Sequence, residues 1–124
     1  MGDRGNIIVS DGASTVYLYS HWTGSELPEI LQRSLAKNWR WRDGSYLARI
    51  IFCEMVKGNE LTETGFGISS KHGDHNHPCL EVAIDEQEVR LLDSCPAHIC
   101  TARWSFKEFA EHGVELVEKE VKEC

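Results

Sequence analysis

No stretch of this chain comes near the roughly 20 consecutive apolar residues that a membrane-spanning helix requires. The opening residues, MGDRGNIIVSDG, lack the basic segment and apolar run of a secretory signal. Asn6 stands where a myristoylation signal wants Ser or Thr. Positive charge is scarce as well: 13 Lys and Arg face 20 Asp and Glu, for a net charge of −7. That balance disfavours a long nucleic acid, whose phosphate backbone needs a basic surface, but leaves room for one small anion in a local pocket. The acidic residues are too scattered for a DNA mimic. Five cysteines, an odd number at irregular spacing, form no disulfide framework and are expected to be reduced thiols in a cytoplasm. There is no P-loop, dinucleotide fingerprint or G-x-S-x-G. Neither an internal repeat nor a low-complexity segment appears.

What is present fits one ordinary globular domain over residues 1–124, with 41% hydrophobic and 27% charged residues. Asn6 to Ser10 reads as a strand, Asp11-Gly12 as a turn and Thr15 to His21 as a second strand. Alternation places Val16, Leu18 and Ser20 on one face and Tyr17, Tyr19 and His21 on the other. Thr23 to Glu26 fits a capping box for an amphipathic helix over 27–37, with Pro28 tolerated in its first turn. Residues 38–44 break the period. Ser45 then caps a more apolar helix that stops at Gly58-Asn59. Strands follow at 64–69, 79–84 and 88–92, with a polar loop at 71–78 and an irregular stretch at 94–102. Ser105 with Glu108 opens a final helix, which Gly113 divides or leaves whole. The order β-β-α-α-β-β-β-α contains no obvious crossover. It predicts an α+β fold: an antiparallel sheet of about five strands with helices packed on one face.

The strings MGDRGN, VYLYSHWTGSELP, ARIIFCEM and TGFGIS resemble a family of small uncharacterised proteins from prokaryotes and their phages. The resemblance spans about the first two thirds of the chain. It implies a host cytoplasm as the setting and carries over no catalytic residue.

Chemistry is expected first at the joint between the second strand and first helix. Helix amides there favour an anion. Tyr19, His21, Trp22, Thr23, Gly24 and Ser25 gather around them, and Arg42 and Arg49 are candidates to fork onto an anionic group. Packing and capping explain the same residue types. The second candidate is WRWRDGSY, residues 39–46, where Trp39 and Trp41 interleave with arginines. That pattern suits a flat anionic ligand or a protein interface; two rings covering a helix pair would also account for it. The third is a metal site. His72, Asp74, His75, His77 and Cys79 form one cluster, and Cys95, His98 and Cys100 another. His75, His77, Cys95 and Cys100 are the candidate zinc ligands, although neither cluster has C-x-x-C or H-E-x-x-H spacing. Glu54, at helical spacing among apolar residues, is a candidate buried acid; such a residue more often sits at the margin or pairs with an arginine, here Arg49 or Arg103.

The leading expectation is a non-enzymatic module that binds a small anionic, nucleotide-like ligand without a cofactor. In a phage it would sequester a host defence signal, an analogy rather than a reading of residues. The alternatives are a protein-interaction module, either a homo-oligomer or a host-protein binder anchored by Trp39, Arg40 and Trp41, and a small metal-dependent enzyme using the His and Cys clusters.

Overall fold

The described residues of a computed structural model, 2–71, 73, 76–93 and 100–122, build six strands and three α-helices. β1 (Gly5–Ser10) and β2 (Thr15–Ser20) form the expected hairpin. A short 3-10 turn (Gly24–Glu26) leads into α1 (Leu27–Ala36), and α2 (Gly44–Val56) follows. β3 (Phe66–Ser69), β4 (Cys79–Ala83), β5 (Glu88–Leu92) and β6 (Cys100–Ser105) complete the sheet, and α3 (Phe106–Lys122) ends the fold. The strand order is β3-β2-β1-β4-β5-β6. The class is α+β, as expected.

Two features differ from the sequence reading. β6 occupies part of the stretch expected to be irregular: Ala102 and Trp104 pair with Leu91 and Val89, and Trp104 is buried in the core. Its alternation is short and obscured by the cysteines, proline and histidine before it. The second difference is a crossover, because β1 pairs with β4 in parallel. The chain rises through α1 and α2, adds β3 to the outer edge of β2, and must return past β2 and β1 to reach the far side. Asn6, fully buried on the helix-free face, guides that return. Its side-chain amide donates to Gly73 O at 3.1 Å and its oxygen accepts from Gly73 N at 3.3 Å. A buried amide satisfied on both sides adds specificity without the cost of an orphaned polar group.

Ile7, Val9, Leu18, Leu80, Val82, Val89 and Leu91 face the helices. Against them lie Leu27, Ile30, Leu31 and Leu35 of α1, Leu47, Ile51 and Met55 of α2, and Phe106, Phe109 and Val117 of α3. Each fully buried Leu, Ile or Phe contributes about 1.5–3 kcal/mol. α1 lies between its two neighbours, with α3 on one flank and α2 on the other. The Gln32 side chain of α1 inserts at the backbone of α3, donating to Glu111 O at 3.2 Å and accepting from Val114 N at 2.8 Å. α3 runs unbroken through Gly113. On the opposite face of the sheet, Arg90 sits between Glu88 (3.1 Å) and Glu81 (3.6 Å).

Glu54 is buried, but its partner is neither Arg49 nor Arg103. Arg33 of α1 donates to it at 2.8 Å, with Lys37 at 3.9 Å and Lys57 at 4.0 Å. Adjacent turns of α1 and α2 bring Arg33 to the inner side of Glu54, whereas Arg49 points outward. The Arg33 hydrogen bond, helped by both lysines, holds the Glu54 carboxyl below the usual glutamate range. A depressed carboxyl stabilises the fold above its unfolded value and loses that contribution as pH falls. Glu54→Gln is expected to lower stability to urea by about 1–3 kcal/mol at neutral pH. The gap to wild type should close as pH falls below about 4.3.

Candidate functional site

The joint between β2 and α1 is built from three separate segments. Ser20, at the end of β2, is buried; its hydroxyl meets Thr23 Oγ1 at 2.5 Å and accepts from Thr23 N at 3.0 Å. Thr23 therefore turns inward and makes no cap hydrogen bond, so the expected capping box does not form. Asp3 takes its place. Its oxygen Oδ2 accepts from Ser25 N at 3.1 Å and from Ser25 Oγ at 2.6 Å, while Oδ1 bonds His77 Nε2. The Asp3 backbone adds two more bonds: its N–H donates to His21 O at 2.8 Å and its C=O accepts from Gly24 N at 2.7 Å. The Ser25 hydroxyl, followed by His77, holds the Asp3 carboxyl below the usual aspartate range. Gly24 is required by this closeness, because a Cβ there would stand 2.7 Å from the Asp3 and Arg4 carbonyl oxygens. The protein thus supplies its own anion to the mouth of the first helix.

Tyr19, His21, Trp22, Thr23, Gly24 and Ser25 do come together here. Tyr19 Oη meets His21 Nδ1 at 3.0 Å. Trp22, 48% exposed, lies over Gly65 and meets Phe66 edge-on with centroids 6.0 Å apart. Gly65 has φ +102° and no room for a Cβ, which would fall 2.2 Å from the Trp22 ring. Gly65, just before β3, is the seat of that ring.

Beneath Ser25 and His77 opens a hollow of about 220 Å3. Its walls are Leu27 and Pro28 of α1, Leu80 and Leu91 of the sheet, and Val117 and Val121 of α3, with Glu118 at the rim. It exists because α1 and α3 run antiparallel, so the start of one and the end of the other splay above the sheet. Ser25, Asp3 and His77 do not form a nucleophilic triad. There the histidine stands between serine and carboxylate, whereas here Asp3 stands between the other two. The arrangement orients hydrogen-bonding groups and places a carboxylate, not an imidazole, at the Ser25 hydroxyl.

The remaining candidates lie beyond the other end of α1. Trp41 is half-buried, meets Phe106 edge-on at 5.6 Å, and donates from Nε1 to Leu35 O at 3.2 Å. Gln87 holds the Trp41 carbonyl at 2.7 Å. Trp39 points outward, 58% exposed. Arg42 borders a separate hollow with Ile84, Asp85 and Gln87, and Arg49 is exposed on α2. A ten-residue helix is about 15 Å long, so these arginines do not converge on the Thr23 turn.

Of the zinc candidates, His75 and Cys95 lie outside the described residues. His77 is engaged by Asp3, and Cys100 lies on β6 beside Leu92 and near the buried Cys79. Among the described residues, no three His, Cys, Asp or Glu side chains gather closely enough to hold a metal. Asp3 and the pocket wall were not singled out in sequence: Asp3 sits 22 residues before the serine it holds, with no periodic relation to it.

Comparison with protein-family models, curated proteins and solved structures finds no match. The geometry therefore carries the functional reading.

Asp3→Ala removes a cap and unties three segments, and is expected to lower stability by about 1–2 kcal/mol in urea unfolding. The two tryptophans should separate in the same assay. Trp41→Ala is expected to cost about 3 kcal/mol, and Trp39→Ala less than about 0.5 kcal/mol.

Proposed function

We propose that this chain is a non-enzymatic binding module for a small ligand whose flat, largely apolar part enters the hollow between α1 and α3. One observation supports this most: an apolar hollow of about 220 Å3 coincides with polar groups locked at its rim. Small-molecule sites combine apolar walls with a few fixed polar groups in this way. A cavity of roughly 150 Å3 takes one benzene ring, so a fused ring of nucleobase size matches this volume. Ser25 gives its proton to Asp3 and keeps lone pairs for a ligand donor. His77, oriented through Nε2, offers its second ring nitrogen.

The nucleobase-like ring is kept from the small anionic, nucleotide-like ligand expected from sequence, while the seat moves from the helix mouth to the hollow and the anionic group is no longer required. Asp3 already neutralises the mouth of the first helix, so a ligand phosphate has less to gain there than a free helix terminus would provide. Recognition rests on the ring and its hydrogen-bonding edge, and binding proceeds without turnover.

A thermal-shift series of nucleobases, nucleosides, nucleotides and cyclic nucleotides tests this reading. At a hundredfold excess over Kd, a true ligand adds about 2.7 kcal/mol of stability. Val121 is half-exposed at the pocket rim, so Val121→Trp should fold normally, fill the opening and abolish the shift. Absence of any shift, or a shift that survives Val121→Trp, overturns the assignment.

A further inference from the structure

The loop between α1 and α2 and the first turn of α2 display what they do not bury. Trp39 and Tyr46 are 58% and 50% exposed. Each ring is braced by a nearby cation: Lys37 Nζ, at the end of α1, lies 5.3 Å from the Trp39 centroid and Arg40 Cζ 4.5 Å from that of Tyr46. Asn38 and Arg40 hold left-handed backbones, with φ of 57° and 56°. Each costs about 1 kcal/mol for a non-glycine residue. Burial of Trp41 and the Gln87 bond to its carbonyl hold the loop in this form. Among the described residues, neither Arg40 nor Arg49 has a carboxylate within ion-pair distance, unlike Arg33 and Arg90. In a chain of net charge −7, this is a cationic, aromatic patch at the N-terminal end of α2.

The complementary surface lies at the other end of the same helix. Glu60, Leu61 and Glu63 follow α2 in an exposed turn, and Leu61 is 100% exposed. An acidic, apolar segment and a basic, aromatic patch are thus separated by the length of one 13-residue helix.

We infer that this face joins two copies of the chain, with the α2 helices antiparallel about a two-fold axis. Leu61 of each copy sits on the Trp39–Tyr46 patch of the other, and its flanking glutamates meet Arg40 and Arg49. Antiparallel pairing of identical helices places each N-terminal patch beside the partner's C-terminal turn, so both contacts are made at once and the assembly closes. Trp, Tyr and Arg are the residue types that dominate interface energies. A single-stranded nucleic acid suits the patch less well. One face of each ring is already covered by the protein's own cation, and the net charge repels a polyanion.

Sedimentation velocity across protein concentration decides the matter. Wild type is expected to approach twice the 14.1 kDa chain mass, and to dissociate at about 1 M salt, where screening shortens to about 3 Å. Arg40→Glu with Arg49→Glu, and separately Glu60→Arg with Glu63→Arg, should each give monomers. Mixing the two variants should restore a dimer, because every patch then faces a turn of opposite charge. Trp39→Ala should weaken the dimer at least tenfold, with thermal stability unchanged at concentrations where both proteins are monomeric. The inference is overturned by a wild type that stays monomeric to about 1 mM, or by species that grow beyond dimers. It is equally overturned if dimers survive both charge variants, if mixing fails to rescue, or if the arginine variants lose only oligonucleotide binding.

Discussion

Asp3 is the residue on which the joint turns. One side chain and its peptide reach the end of β2, the 3-10 turn before α1 and the connection that enters β4. A helix start left open to solvent would have satisfied its amides with water or a ligand. Here Asp3, from a distant segment, satisfies two of them, Ser25 N through its carboxylate and Gly24 N through its carbonyl, which fixes the entry to α1. The direction of α1 in turn sets the antiparallel approach of α3 and the gap beneath Ser25.

The two ends of α1 consequently do different work. Its start is closed by internal hydrogen bonds and roofs an apolar hollow. Its end runs into a loop that places Trp41 against the core and Trp39 in solvent. Two tryptophans separated by one residue would share a face in an extended chain, but Arg40 between them has a left-handed backbone with φ of 56°, so a repeated dipeptide in sequence becomes one anchor and one displayed ring.

Much of the fold was legible because local rules governed it. The β1–β2 hairpin, the period of α1 and α2, and the Ser105 cap, seen in Glu108 N donating to Ser105 Oγ at 3.0 Å, all follow from neighbours in sequence. What escaped depended on distance along the chain. Thr23 had the right spacing to cap, but a buried Ser20 claimed its hydroxyl and Asp3 arrived from elsewhere. Glu54 was a candidate buried acid, yet its partner depended on how α1 packs on α2, which periodicity does not encode. The hollow has the same origin: nothing local to Leu27, Pro28 or Val117 says that the start of α1 and the end of α3 leave a gap above the sheet.

The parallel pairing of β1 with β4 also bears on how the chain reaches this structure. On either side of that ladder, β1–β2 and β4–β5 pair across local turns, while β2 meets β3 across both α1 and α2, about fifty residues on. Across it, Ile7 must find Leu80 over about seventy intervening residues. The molecule is two halves zipped along one seam, with α1 laid on α3 above it. The hairpins close locally, whereas closing the seam carries the loop-closure entropy of a span of about seventy residues. The hollow beneath Ser25 is bounded by both halves, so it exists only once these two central strands have met.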